Sequence, residues 1–453
     1  MKRKMLLMLA ALMVAACGRQ ATVRQVDVLP EPVFMVQKEG TFVLHNSPKV
    51  SVVNVGQNSA TVKYIMKWLR QSHLRPKLVS ASEVCDIELL LNDTLNTELG
   101  DEGYLLEVRP SGIRLSANTE TGLFYGYQTL AQLLPADVAG PVYSSIGLPE
   151  CTILDYPRFG WRGLQLNLGG NGLSMKELRR VVDVMGMYKL NRLCVEGGRW
   201  TEDTSRWGVD SLFAYGREEV EQLAGYAKDA GVALVWDTVP VTVEELRTGM
   251  EEARDGNEVV VAPVDYWALE RYQADPRWQP EASEGVLTLA RCYSFDPVPM
   301  GTNVHVAAHV AGGQCRMQTD CVSNGREVEY MLLPRLLAVS ERLWSRREGV
   351  DWNRFRRKVE EHKNRLGHRG YSYCEGAFTP QFTVYRVDDE TTNVSIGTEV
   401  PNTYIFYTTD MSTPTRNSAI YLGPVNLKRG THIKILPVYK DIERDSVYEY
   451  VIK

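Results

Sequence analysis

Residues Tyr156 to Trp200 read YPRFGWRGLQLNLGGNGLSMKELRRVVDVMGMYKLNRLCVEGGRW, and this stretch decides the fold. The apolar run Trp161 to Leu168 predicts a strand, and Ser174 with Glu177 forms a capping box that predicts the start of a helix. A second apolar run, Leu190 to Val195, predicts a strand parallel to the first, because a helical crossover joins them. Such a repeat belongs to a barrel or a doubly wound sheet, whose ligand sites lie at the carboxyl ends of the strands.

Apolar runs elsewhere extend this repeat into a short barrel-like region. Together they predict five strands, at 161–168, 190–195, 232–239, 259–262 and 304–310. A closed (β/α)8 barrel needs eight strands in about 250 residues. We therefore predict an α/β fold with a partial or distorted TIM-like (β/α) barrel.

The rest of the chain divides into smaller units. We predict a small α+β domain at residues 31–150, the shortened barrel at 151–374 and a β-sandwich-like antiparallel β domain at 375–453. The amino-terminal residues 1–17 and 18–30 are predicted to be a signal peptide and a tether.

The composition excludes some classes of partner. The 453 residues carry 51 Lys and Arg against 56 Asp and Glu, so no basic excess points to nucleic acid. No motif for a cofactor or a metal site stands out, and the seven cysteines after Cys17 are scattered and odd in number. We predict no disulfide framework, although Cys315 and Cys321 could pair.

The amino terminus predicts export and membrane attachment. Lys2, Arg3 and Lys4 precede the apolar run Met5 to Val14, which is too short to span a bilayer. The run ends in VAAC, which resembles a bacterial lipobox and implies lipidation of Cys17. We predict a lipid-anchored protein of the bacterial outer membrane or cell surface.

Several stretches, in the right order, resemble the β-N-acetylhexosaminidases, the family 20 glycoside hydrolases. They are DYPRFGWRG at 155–163, VDVM at 182–185 with YKLN at 188–191, SFDPVP at 294–299, EYMLLPRLLAVSE at 329–341 with Trp344, and the segment 103–134. YTTDMSTPT at 407–415 resembles the accessory β domain of chitobiase-type enzymes. The resemblance implies a barrel enzyme acting on amino sugars.

That resemblance also implies a specific chemistry. The family's hydrolysis is substrate-assisted, and an adjacent Asp-Glu pair after the fourth strand orients the acetamido group and protonates the leaving oxygen. Here adjacent Asp-Glu occurs only at Asp101-Glu102 and Asp389-Glu390, both outside the predicted barrel.

The family's sugar-contacting residues are also replaced in this chain. The arginine after the first strand falls on Gly170, and the His-Trp-His run of the second strand falls on 194–196. The acetamido-binding Tyr becomes Ala268, and its neighbouring Asp becomes Glu270. On the last strand the Trp and Glu that hold the sugar fall on Gln314 and Arg316.

Two groups of residues remain as candidates for a site. The carboxylates at or after strand ends could serve as acid and base: Glu196, Asp237 and Glu270. The aromatic rings at the same rim could stack on a sugar: Trp200, Trp236 and Trp267. His305 and His309 are predicted to share one face of a strand, without a third metal ligand nearby.

Two functions from different classes follow. The first is a pseudoenzyme: a surface lipoprotein that lacks the ancestral hydrolysis and binds glycans containing N-acetylhexosamine, or acts as a scaffold. The alternative is an active β-N-acetylhexosaminidase with relocated carboxylates that removes terminal N-acetylglucosamine or N-acetylgalactosamine in carbohydrate metabolism. The absent Asp-Glu pair on a fourth strand separates them, because function resides in the site.

Overall fold

The strand, helix and strand predicted around residue 180 form as strand Trp161–Asn167, helix Met175–Met187 and strand Arg192–Glu196. In this computed structural model the capping box is complete, with Ser174 accepting from the Glu177 N–H and Glu177 accepting from the Ser174 N–H. The structure describes residues 20–21, 26–138, 143–169, 172–196, 199–200, 214–236, 242–400, 402–439 and 446–452.

The two strands belong to a six-stranded parallel sheet. Its spatial order is Ala233–Trp236, Arg192–Glu196, Trp161–Asn167, Val310–Gln318, Val259–Val261, Thr242–Val243. Its helices include Arg217–Asp229, Leu246–Arg254, Gly325–Leu332, Arg335–Trp344 and Trp352–His368, with shorter ones at Val264–Trp267, Leu289–Ser294 and Val304–Ala308. In the described part of the chain the two outermost strands do not pair with each other, so the sheet is a partial barrel.

The prediction of a strand at 304–310 is wrong. Residues Val304–Ala308 form a helix whose first turn is capped by the Asn303 side chain, and the strand begins where the prediction ended, as Val310–Gln318. A short apolar run is compatible with a strand or with a helix, and here the side-chain cap at Asn303 favours the helix. Thr242–Val243 is a sixth strand, and the helix after it begins at Leu246.

The amino-terminal domain is built on an eight-stranded mixed sheet covered by two helices, Ala60–Gln71 and Glu120–Leu133. Two of its strands are long, Phe34–His45 and Ser145–Asp155, and they pair antiparallel. The others are Gln20–Ala21, Lys49–Val53, Lys77–Val79, Ile87–Leu91, Tyr104–Arg109 and Gly112–Ala117.

The described part of the predicted tether, residues 20–21 and 26–30, packs against the protein. Gln20–Ala21 pairs with the sheet, and Val26, Val28 and Leu29 are buried. We call residues 26–33 the strap. It is held because the Lys358 ammonium donates to the Val28 carbonyl and to Glu31, and because buried Glu341 accepts the Glu31 N–H at 3.1 Å. Apolar side chains in this segment make it part of the core.

Buried polar contacts join the amino-terminal domain to the barrel. The Lys189 ammonium, fully buried, donates to Asp155 at 2.8 Å and to the Tyr104 hydroxyl at 2.8 Å. The Trp344 indole N–H donates to the same Asp155 carboxylate at 3.0 Å. A buried charge is stable only when it is paired and hydrogen-bonded, so these groups fix the two units against each other.

The carboxyl-terminal domain is a small antiparallel sandwich. One sheet contains Gln381–Arg386, Thr391–Gly397 and Val425–Lys428, and the other contains Thr403–Thr408, Ala419–Ile420, His432–Tyr439 and Tyr448–Val451. Trp278 of the barrel unit packs against its Phe382 and Tyr448 rings. The seven cysteines from Cys85 to Cys374 are free thiols, and Cys315 and Cys321 do not form a bridge.

We expect Gly312→Ala to lower the free energy of unfolding by about 3 kcal/mol or more. Gly312 has φ +148, and a Cβ atom there would lie 1.9 Å from the Trp161 carbonyl oxygen, so the main chain must shift. Urea denaturation measures the loss. The same substitution at exposed Gly225, inside a helix with open space around it, should raise stability by up to about 1 kcal/mol. Equal effects at the two sites would contradict this account.

Glu341 should make stability depend on pH. Burial raises its pKa from 4.5 to about 7, although the Lys358 charge and the Tyr293 hydroxyl lower it. Because the folded pKa is raised, the stabilisation is present below pH 4.5 and is lost as the pH rises through 7. The stability of Glu341→Gln relative to the wild type should therefore rise by about 3 kcal/mol between pH 4.5 and 8.

Urea denaturation of both proteins at the two pH values measures this difference. The matched control is Glu98→Gln, at an exposed position, whose difference from the wild type should stay constant. A pH-independent difference for Glu341→Gln would show that the carboxyl group does not titrate in this range.

Candidate functional site

One face of the parallel sheet carries a band of polar side chains. Side chains alternate along each strand, and the outward ones are buried and apolar, as in Leu164, Leu193 and Met317. The inward ones in register are mostly polar: Arg192, Cys194 and Glu196 beside Gly163, Gln165 and Asn167, and beside Gln314, Arg316 and Gln318. We call the surface that these inward residues line the bowl.

Gln314 organises the floor of the bowl. Its side-chain oxygen accepts from the Trp161 indole N–H at 3.3 Å and from the Cys194 thiol at 3.2 Å, and its amide N–H donates to Gln165 at 3.2 Å. Burial raises the pKa of the Cys194 thiol to about 12, and the charge of Glu196 adds to this effect. Cys194 is therefore a neutral donor at physiological pH.

Arg316 lies in the middle row of the bowl between two carboxylates. Its Nε donates to Glu270 at 3.0 Å and a terminal nitrogen donates to Glu244 at 3.3 Å. Glu270 is only 3% exposed, and its second carboxylate oxygen is buried without a partner in the described part of the chain. Arg316 therefore supplies the ion-pair partner of this buried side chain.

The structure separates the candidate carboxylates. Glu196 is half-buried at the end of strand Arg192–Glu196. Glu270 lies two residues after Ala268, whose main chain forms an isolated β-bridge with Arg316 on another strand. Two strands, Trp161–Asn167 and Val310–Gln318, lie between these positions, so Glu196 and Glu270 do not form a close pair. Asp237 lies outside the described residues.

The structure describes the side chain of one of the three aromatic candidates, Trp267. Trp267 is 1% exposed, donates its indole N–H to the Cys292 carbonyl at 3.1 Å and packs edge-on against Phe295. The predicted rim position of Trp267 is wrong, because the short helix Val264–Trp267 turns its side chain into the core. The main chains of Trp200 and Trp236 lie in strands, and their side chains are outside the described part of the structure.

The two adjacent Asp-Glu pairs have other surroundings. Glu102 accepts from both terminal nitrogens of buried Arg162 at 2.9 Å, at the amino end of the barrel strands. Burial alone would raise the pKa of Glu102, but the charge and hydrogen bonds of Arg162 lower it overall. Asp389-Glu390 lies in the turn between strands Gln381–Arg386 and Thr391–Gly397. The first pair thus lies at the opposite end of the barrel strands from Glu196, and the second lies in the carboxyl-terminal domain.

The two histidines do not lie on a strand as predicted. His305 and His309 lie on and after a short helix, where the His309 ring contacts the His305 carbonyl at 2.8 Å. Across the residues that the structure describes, no group of three or more His, Cys, Asp or Glu side chains could hold a metal ion.

Sequence reasoning placed a site around the strand end at Asn167 but missed the amides Gln165 and Gln318 and the carboxylate Glu244. The signal was present in VAGGQCRMQ at 310–318, where Gln, Arg and Gln alternate with Cys and Met. That period of two marks one polar and one apolar face. The predicted strand ended at residue 310, so the alternation was not assigned to a strand.

The protein thus combines an α+β domain, a partial β/α barrel and a β sandwich, and β/α barrels carry their sites at the carboxyl ends of the strands. Residues 25–156 match "Glycosyl hydrolase family 20, domain 2" and residues 218–347 match "Glycosyl hydrolase family 20, catalytic domain". The chain belongs to glycosyl hydrolase family 20. Residues 394–449 match "Fn3 associated".

Relatives of known sequence support the same family. A β-hexosaminidase of Porphyromonas gingivalis is 19% identical over 93% of this chain and 75% of that protein. The β subunit of the Sus scrofa β-hexosaminidase is 34% identical over 32% of this chain. Several matches cover only about a third of the relative, such as 36% of a Vibrio furnissii β-hexosaminidase and 28% of the Sus scrofa subunit.

Solved structures agree on the fold. The Streptomyces plicatus N-acetyl-β-hexosaminidase superposes with a TM-score of 0.69 at 18% identity, covering 80% of this chain and 99% of that chain. The Flavobacterium johnsoniae chitobiase gives a TM-score of 0.63 at 17% identity, covering 78% of this chain and 74% of that chain. These similarities confirm the predicted partial barrel with its preceding domain.

Removing Arg316 should destabilise the protein by leaving Glu270 as an unpaired buried charge. We expect Arg316→Met to cost about 2 kcal/mol of unfolding free energy, because the carboxylate loses the ion pair that offsets its burial. Adding Glu270→Gln should recover most of that loss. Urea denaturation of the single and double variants gives the coupling energy, and additive effects would rule out the pair as the cause.

Proposed function

We propose that this chain binds glycans containing N-acetylhexosamine in the bowl and lacks the hydrolysis of its family. The connection between two barrel strands carries this proposal. Only residues 237–241 join Ala233–Trp236 to Thr242–Val243, and no Asp-Glu pair occurs in the barrel. In the enzymes that the sequence resembles, that pair follows the fourth strand. Here the fourth described barrel strand in chain order is Thr242–Val243, only two residues long, and Glu244-Glu245 follows it instead of Asp-Glu.

The composition of the bowl supports binding rather than bond cleavage. Gln165, Asn167 and Gln318 are half-buried amides, which can both donate to and accept from sugar hydroxyls. A glycoside hydrolase needs a carboxylic acid free to transfer a proton. Glu270 is instead engaged by Arg316, and Glu196 has no second carboxylate on a neighbouring strand of the described sheet.

The family names of the relatives favour amino sugars as the ligand class. Proteins named β-hexosaminidase occur among the similar sequences, and solved similar enzymes were crystallised with N-acetylglucosamine. The alternative function, an active β-N-acetylhexosaminidase, would require Glu196, Asp237 or Glu270 to act as acid and base.

We also propose that the mature chain is lipid-anchored through Cys17 on the bacterial outer membrane or cell surface. The motif VAAC supports this assignment, and residues 1–17 lie outside the described part of the chain. No helix among the described residues has the length and apolar character needed to cross a membrane.

Binding without turnover is the expected result for the chain starting at Gly18. Calorimetric titration with N-acetylglucosamine oligosaccharides should detect binding, and Gln165→Ala should weaken it by about tenfold, because one or two hydrogen bonds are lost. The matched control is Gln222→Ala, an exposed helix position outside the bowl, which should bind like the wild type.

Hydrolysis is assayed on the same protein with chromogenic N-acetylglucosaminide and N-acetylgalactosaminide. Turnover that is lost in the Glu196→Gln, Asp237→Asn, Glu270→Gln triple variant would establish the active alternative. Absence of both binding and turnover in a folded protein would instead favour a scaffold.

A further inference from the structure

The sheet of the amino-terminal domain has one end near the barrel and one end far from it. Asp155, at the near end of strand Ser145–Asp155, contacts Lys189 of the barrel. An 11-residue strand is about 35 Å long, so Ser145 lies that far from the contact along the strand. We call the end that contains Ser145 the distal end.

The first described residues, Gln20–Ala21, lie at this distal end. Gln20 pairs with Ser145 and Ala21 with Ile146, and the strands are parallel, so the amino end of Gln20 points away from the barrel. Cys17 precedes Gln20 by three residues, which can span about 10 Å at most. A lipid on Cys17 would therefore hold the distal end within that distance of the membrane.

Exposed cations surround the same end. His45 is the cross-strand partner of Ser145, and the Arg75 N–H donates to the Asn46 carbonyl at 2.7 Å. Lys49 and Lys77 are partners at the starts of two neighbouring strands. We define the distal basic patch by four exposed side chains, Lys49, Arg70, Arg75 and Lys77.

The distal basic patch contains four cations without an ion-pair partner among the described residues, beside one carboxylate, Asp86. The nearby Asp86 carboxylate accepts the main-chain N–H of Lys49 at 2.7 Å, and Glu107 is paired with Arg109. The chain as a whole carries a net charge of -5, so these cations form a local exception.

We propose that the distal basic patch docks on an anionic phospholipid bilayer, the membrane that holds the anchor. This proposal rests on the anchor proposed for Cys17 and is independent of glycan binding. Juxtamembrane cations are attracted to anionic lipid within a Debye length, and a lipid chain with a basic cluster forms a two-part attachment. The lipid provides the attachment and the patch sets the orientation.

Docking in this orientation would direct the bowl outward. The amino ends of the barrel strands face the amino-terminal domain, because Arg162 at the start of the first strand binds Glu102. The bowl is at the opposite, carboxyl ends of those strands. A glycan would then reach the bowl from the side away from the membrane.

The experiment holds the chain from Gly18 on vesicles by an amino-terminal histidine tag and nickel-chelating lipid, so it does not depend on acylation. Hydrogen exchange is compared on phosphatidylcholine vesicles with and without phosphatidylglycerol. We expect slower exchange at residues 45–49 and 73–77 only with phosphatidylglycerol, and loss of this protection in high salt. Arg75→Glu with Lys77→Glu should reduce the protection by about tenfold or more.

The matched control is Lys428→Glu with Arg429→Glu, which reverses two exposed cations of the carboxyl-terminal domain and should keep the protection. Protection that is absent, located elsewhere, insensitive to salt or equal in both double variants would overturn the docking proposal. Mass spectrometry of the exported protein tests acylation of Cys17 separately, so failure of the anchor and failure of the patch are distinguishable.

Discussion

The buried contact between Lys189 and Asp155 is the constraint on which the arrangement of the units depends. Lys189 ends the first helix of the barrel region in a left-handed conformation, φ 62, and its ammonium reaches into the amino-terminal domain. Tyr104 and Trp344 supply the remaining hydrogen bonds to the pair. One group therefore joins the first barrel repeat, helix Arg335–Trp344 and the preceding sheet, and the loss of either Lys189 or Asp155 would leave a buried charge uncompensated.

The fold could be predicted to the extent that local signals decided it. The capping box at Ser174 and the apolar runs on either side fixed the first repeat, and the structure has that repeat as predicted. The run at 304–310 was too short to distinguish a strand from a helix, and a side-chain cap at Asn303 decided it. The strap was interpreted as a tether because its burial depends on Lys358 and Glu341, more than 300 residues away.

The residues of the site were harder to predict than the strands and helices around them, because contacts between side chains distant in sequence define the site. The absence of an Asp-Glu pair can be read from the sequence. The ion pair between Arg316 and Glu270 cannot, because it depends on the orientation of the segment around Glu270 relative to strand Val310–Gln318. By the resemblance given above, Arg316 falls at the position of a sugar-binding Glu, and Glu270 falls at the position of an Asp. The exchange gives an internal ion pair at a position where the resemblance implies contacts to a sugar. Changes of this kind alter the function of a site while the surrounding helices keep their packing.

The strap also constrains the order in which the chain can fold. Val28 and Lys358 are 330 residues apart, and their hydrogen bond closes most of the polypeptide into one loop. During synthesis, the strap has no docking site until helix Trp352–His368 has emerged. Long-range contacts of this kind form late, because the entropy of loop closure is lost before the contact is gained. The strap, although it is synthesised early, is thus among the last segments to reach its native position.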